Sequence, residues 1–136
     1  MCSSDLAPNS LEMASTLNNL GSVAADRGDL ARAEQLFQQA LAIFDKLAPN
    51  SLDVARALNN LGIVAANRGD LARAEQLFQQ ALAIYEKLAP NSLQVASTLN
   101  NLGSVAYARG DLARAEQLFQ QALAIYEKLA DRKSVV

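Results

Sequence analysis

The side chains able to do chemistry in this chain are few, and they recur at a fixed interval. Asn18-Asn19, Asn59-Asn60 and Asn100-Asn101 stand 41 residues apart. Each amide offers a donor and an acceptor, which suits hydrogen bonding to a peptide backbone. The triplet Arg-Gly-Asp also occurs three times, starting at Arg27, Arg68 and Arg109. As chemistry it is an adhesion motif; as structure it is a helix end, a left-handed turn residue and an N-cap. All three copies occupy the same turn, so the structural reading prevails. Carboxylates such as Glu34, Asp45 and Glu86 fall at exposed helical positions, with Arg32, Lys46 or their equivalents nearby, the pattern of solvated surface pairs. Catalysis needs a positioned nucleophile, acid, base or metal. The sequence has no histidine and a single cysteine, Cys2. The usual nucleophile–base pairs, an internal disulfide and a Cys/His zinc site within this chain are thereby excluded. The glycines stand singly, without the spacing of a phosphate-binding loop. No catalytic residue, metal ligand or cofactor is expected.

Composition narrows the partners. Of 136 residues, 51% are apolar, and 12 basic residues stand against 14 acidic ones for a net charge of −2. That length suits one domain with a modest core. Nothing in the balance favours nucleic acid or an anionic membrane. No apolar run approaches the ~18 residues of a spanning helix, and no signal-peptide pattern is present. The expectation is a cytoplasmic protein whose partners are proteins or peptides.

The elements that position the Asn pairs follow from the period. Pro8, Pro49 and Pro90 keep the 41-residue spacing, as do Gly21, Gly62 and Gly103, and Phe37, Phe78 and Phe119. A period of 20–50 residues implies stacked units. Each unit predicts two helices. The first runs from about Ser10 to Arg27, with Met13, Leu17, Leu20 and Ala24 at helical spacing as its packing face. Gly28 tolerates the left-handed turn that follows, and Asp29 is placed to cap the next helix. That helix carries Leu30, Ala33, Phe37, Ala40, Leu41 and Phe44 on one face and ends before Ala48-Pro49.

At these residues the chain resembles the tetratricopeptide repeat family, whose signature is W-x2-L-G-x2-Y, then A-x3-F, then a further Ala. The first unit reads Leu17-x2-Leu20-Gly21-x2-Ala24, then Ala33-x3-Phe37-x2-Ala40, and the other two match. Leu and Ala stand where the family often has Trp and Tyr, and the unit is longer than the usual ~34 residues. That length, with the wording TLNNLG and ALAIYEKL, is similar to the kinesin light chain subtype and to many bacterial multi-repeat proteins. The resemblance implies an all-α, right-handed solenoid of six antiparallel helices, with units at 7–48, 49–89 and 90–130. It also implies that first helices line a concave groove while second helices form the convex back.

The two ends break the pattern. Where the repeat demands Pro-Asn-Ser-Leu after Leu129-Ala130, the chain reads Asp131-Arg132-Lys133-Ser134-Val135-Val136. A common short-read sequencing adapter contains GAT CGG AAG AGC GTC GTG TAG, which translates to those residues and a stop. Its partner contains GTG TGC TCT TCC GAT CT, which gives Cys2-Ser3-Ser4-Asp5-Leu6 after a GTG start. Residues 1–6 and 131–136 are read as adapter-derived tails, set aside from fold reasoning and expected to make few core contacts. The chain then reads as an internal fragment of a longer array.

What remains is binding. Gly28–Ile43 and its equivalents are identical in the three copies, so the differences fall mainly on first helices. They are Ser15/Arg56/Ser97, Ser22/Ile63/Ser104, Ala25/Ala66/Tyr107 and Asp26/Asn67/Ala108, all on one helical stripe. Asn is a poor helix former, so the mid-helix pairs need an offsetting role. One role is hydrogen bonding between repeats; the other is an amide ladder for a peptide backbone, as the resemblance implies. The predicted groove comprises Asn18, Asn19, Ser22, Arg56, Asn59, Asn60, Ile63, Asn100, Asn101, Ser104 and Tyr107. The leading reading is an interaction scaffold holding an extended peptide. The alternatives are a structural spacer or self-associating array, stacked end to end, and a sensor arm of a larger signalling protein.

Overall fold

In a computed structural model of the chain, the described residues are 10–134. Six helices make up these residues, with no strand among them: α1 (Leu11–Asp26), α2 (Leu30–Leu47), α3 (Leu52–Asn67), α4 (Leu71–Leu88), α5 (Leu93–Ala108) and α6 (Leu112–Ser134). The helix ends are written in local chemistry. Ser10, Ser51 and Ser92 cap the first helices, each hydroxyl accepting from the backbone N–H three residues on. The Arg-Gly-Asp triplets form the turns, as their residue types require. Arg27 and its equivalents are C-caps, and Gly28, Gly69 and Gly110 adopt φ of +83° to +86°. Asp29, Asp70 and Asp111 then accept from the N–H of Arg32, Arg73 and Arg114. Between units, α2 and α4 stop at Leu47 and Leu88, ahead of Pro49 and Pro90. No proline follows α6, and it runs on through Ser134, with Asp131 and Arg132 exposed. Residues 1–6 of the expected tails lie outside the described residues, as do Val135 and Val136.

Each unit closes through a glycine and a phenylalanine. A Cβ placed on Gly62 would stand 2.6 Å from Cε1 of Phe78, and Gly21 and Gly103 meet Phe37 and Phe119 in the same way. The missing side chain is what lets the paired helices approach. Phe37 and Phe78 are buried, whereas Phe119 is only partly covered because no helix follows α6 among the described residues.

The first-helix packing face holds in the interior and in part at the start, where Leu17 and Ala24 are covered. In α3 and α5 the residues equivalent to Met13, Leu20 and Val23 are buried: Val54, Leu61 and Val64, then Val95, Leu102 and Val105. In α1, Met13, Leu20 and Val23 are themselves exposed, Val23 by 53%. Those positions face a preceding unit rather than their own partner helix. The residues of α1 that are buried are Ala14, Asn18, Gly21 and Ala24, with Gly21 against Phe37 of α2 and Asn18 bonded to Asn60 of α3.

Curvature follows from which helices touch. Neighbouring helices pack along the chain, and α1 also reaches α3 as α3 reaches α5. Among the described residues the backbones of α2 and α4, and of α4 and α6, do not pack on each other, and α4 reaches α6 through the side chains of Glu75 and Arg114, 3.9 Å apart. First helices thus lie on the tighter, concave side, and second helices splay on the outside.

Candidate functional site

The Asn pairs sit on the inner edge, where consecutive first helices meet. Asn60 donates from Nδ2 to Oδ1 of Asn18 at 3.2 Å, and Asn101 donates to Asn59 at the same distance. The first Asn of each pair therefore faces the following unit and the second faces the preceding one. The roughly 100° turn between successive helical residues makes this possible. Inter-repeat bonding, one of the two roles the sequence left open, accounts for four of the six amides. Asn18 is buried rather than displayed in the groove, because α3 covers it. Asn59, Asn60 and Asn101 are half-buried, and each keeps amide valence beyond its single bond. Asn19 and Asn100, at the two ends, are exposed.

Between α3 and α5 opens a cleft of about 250 Å³. Ile63 and Asn67 form one wall, Asn101, Ser104 and Ala108 the other, and Leu71 and Phe78 of α4 form the floor. Three predicted groove residues, Ile63, Asn101 and Ser104, are thus brought together. The position that carries Ile63 in α3 carries the smaller Ser104 in α5, which leaves that wall short. Ser22, the α1 equivalent, is exposed and donates to the carbonyl of Asn18.

Arg56 and Tyr107 lie apart from this cleft. Arg56 is exposed on the same face of α3 but paired with Asp53 at 3.1 Å, an i,i+3 contact near the helix start. Its guanidinium also acts on Tyr85 of α4. Burial pushes the Tyr85 phenol above its ordinary value, and Arg56 pulls it partly back. Tyr107 is 67% exposed and borders a separate cavity of about 430 Å³ with Leu112, Phe119 and Leu123.

The acidic residues need one correction. Glu34 does not pair with Arg32, since residues two apart on a helix do not face each other. It meets Arg68, the C-cap of the next unit's first helix, and Glu75 meets Arg109 at 2.7 Å in the same way. These bridges tie units together at the Arg-Gly-Asp turns, which sequence spacing within a helix could not reveal. Among the described residues no group of three or more Cys, Asp or Glu side chains is arranged to hold a metal. No helix there is long and apolar enough to cross a membrane.

Comparison with known proteins agrees with this geometry. The tetratricopeptide repeat family matches residues 12–87 and again residues 53–128. No curated protein matches the sequence. Among solved structures, BtubC (BKLC) from P. vanneervenii is similar at 29% identity and a TM-score of 0.86, over 95% of this chain and 52% of that one. This chain thus spans about half the length of BtubC. The TPR domain of Arabidopsis FLU shares the fold at 19% identity and a TM-score of 0.78, over 85% of this chain and 95% of that domain. The two matches together span most of the chain, and the chain belongs to the tetratricopeptide repeat family.

Proposed function

We propose that this chain is a protein–protein interaction scaffold whose concave face holds an extended segment of a partner protein. Repeats of this family generally mediate protein–protein contacts. The observation that carries the finer reading is the cleft lined by Ile63, Leu71, Phe78, Asn101 and Ser104. Its floor takes an apolar side chain, while the half-buried amides at the rim offer spare donors and acceptors to the segment's backbone. Tyr107 and Arg56 extend the same inner face, the first as an amphipathic surface and the second as a charge for an acidic residue. Three repeats offer a small groove and the segment must be ordered on binding, so affinity is about micromolar or weaker. The partner is a protein rather than nucleic acid, given the net charge of −2. The setting is cytoplasmic, and the activity is binding rather than catalysis.

A peptide-display screen against the protein and its Ser104→Ile variant tests this. The isoleucine fills the short wall, as Ile63 does in α3, and should abolish enrichment while the helices stay intact. If the protein enriches no sequence, or the variant enriches the same ones equally well, the groove is not the working surface.

A further inference from the structure

We propose that the outer side of the solenoid holds a helix of a partner protein. It seats lengthwise between α2 and α4, with an acidic N-terminal turn at Arg73 and a basic C-terminal turn at Asp45. This site lies on the back, away from the concave cleft. The backbones of α2 and α4 do not pack on each other, which leaves a trough between them with α3 as its floor. Two cavities lie along it, about 360 Å³ beside Glu34, Arg68 and Arg73 and about 430 Å³ beside Leu41, Asp45 and Ile84. One floor runs under both. Leu61 and Ala65 of α3 line the first, Val54 and Leu58 line the second, and all four are buried. They stand at i, i+4, i+7 and i+11, on one side of the helix. Glu34, Leu41 and Asp45 of α2, and Arg73, Gln80 and Ile84 of α4, keep the offsets of zero, seven and eleven along the walls. The trough is thus straight for about 16 Å, three helical turns. Each of these positions carries the same residue 41 residues on, except that Glu86 stands for Asp45, so a like trough lies between α4 and α6.

The chemistry of the occupant follows from the two ends. At the Asp45 end the lining is apolar, with Leu41 and Ile84 only partly covered. An extended segment there would find little besides the Asn50 and Gln80 amides for its N–H and C=O groups. A helix bonds its own backbone and needs only an apolar stripe. Charge then sets the direction. Arg68 is held by Glu34, but Arg73 and Asp45 are exposed and have no ion pair among the described residues. Asp45 lies in the last turn of α2, where the helix dipole disfavours a carboxylate, and neighbouring Lys46 makes no ion pair with it. A cation beside Asp45 relieves that cost, and a carboxylate beside Arg73 fills its open fork. A helix with acid in its first turn and base in its last also complements its own dipole, so the partner helix runs parallel to α2 and α4.

The test is fluorescence anisotropy with a labelled, hydrocarbon-stapled peptide of about 15 residues, long enough to hold a helix. It carries Glu in its first turn, Leu at i and i+4 in its second half and Lys in its last turn. A second peptide exchanges the Glu and the Lys at unchanged composition. Every protein in the assay carries Ala124→Glu, an exposed position whose charge closes the α4–α6 trough. The first peptide should bind about three- to tenfold tighter than the second. Arg73→Glu with Asp45→Lys should invert that preference. Ala83→Glu, at the exposed rim of the apolar end, should abolish binding of both peptides. Ser104→Ile, on the opposite face, should change neither. No binding of either peptide at millimolar concentration, equal binding of the two, or a preference that survives the double variant overturns the proposal. So does loss of binding in Ser104→Ile, which would put the peptide in the concave cleft. A proline-interrupted peptide that binds as well would mean an extended occupant, and a protein dimer that Ala83→Glu splits would mean a second copy; either result overturns the helix.

Discussion

Substituting Gly62 by alanine sets two effects of similar size against each other. In a helix interior, alanine is favoured over glycine by about 1 kcal/mol. The new Cβ, however, would stand 2.6, 2.8 and 3.0 Å from three ring carbons of Phe78. Carbon atoms pack comfortably at about 3.5–4 Å, so the ring must retreat by about 1 Å. Phe78 is buried with 2% of its surface exposed, and its ring has no solvent to move into. Overpacking of this kind costs about 1–3 kcal/mol. Overlap therefore wins, and Gly62→Ala should destabilise the protein by about 1–2 kcal/mol net. Urea denaturation followed by circular dichroism reads this as a lower midpoint at unchanged slope. The decisive arm is a double-mutant cycle with Phe78→Leu. Without the ring carbons only the propensity term survives, so Gly62→Ala should raise the midpoint in that background. If Gly62→Ala raises stability in the otherwise unaltered protein, or acts equally in both backgrounds, the glycine is not there for the ring.

Other perturbations have equally definite outcomes. Gly69→Ala, at φ +86° with open space around it, should cost about 1–2 kcal/mol from backbone strain alone, and Gly69→Asn less, measured by the same denaturation. Asp70→Ala removes the acceptor for the Arg73 N–H and should cost about 1 kcal/mol, with no effect of added salt beyond screening. The raised pKa of Tyr85 means that the folded state holds the phenolic proton more tightly than the unfolded chain does. Its contribution is complete below pH ~10 and is lost as pH rises through the folded value. Tyr85→Phe, which copies Phe44 of the first unit, should flatten that alkaline loss in a series of thermal melts. Deleting residues 131–136 should shift the melting temperature by less than a few degrees; a larger drop would mean that the helical extension of α6 supports the core.

The period and the turns were legible because each depends on chemistry within one unit. Serine, aspartate and glycine fix caps and φ angles through atoms only a few residues away. What escaped the sequence depends on which unit lies alongside. Leu20 and Leu61 are the same residue at the same position, yet one is exposed and the other buried, since among the described residues only Leu61 has a preceding unit against it. Asn18 is buried because the following unit supplies Asn60, 42 residues on, and Glu34 finds Arg68 34 residues away. The helical course of Asp131–Ser134 follows from a residue that is missing, the proline that ends α2 and α4 in the interior. The exposed faces of Ile63 and Tyr107 were expected from variation among copies, but the cleft required the short wall at Ser104.

The identity of the three second helices carries a cost during folding. From Gly28, Gly69 and Gly110 onward the chain offers a first helix three surfaces of the same sequence. Side chains alone cannot tell the right partner from the wrong ones, so the choice falls to the length of chain between them. The link of Arg27, Gly28 and Asp29 spans three residues, and it raises the local concentration of α2 around α1 far above that of α4 or α6. The shortest turns thus bias the pairing through effective concentration. Lengthening them with a flexible insert would leave every contact available and remove the information that decides among them, favouring exchange of helices between units and between molecules.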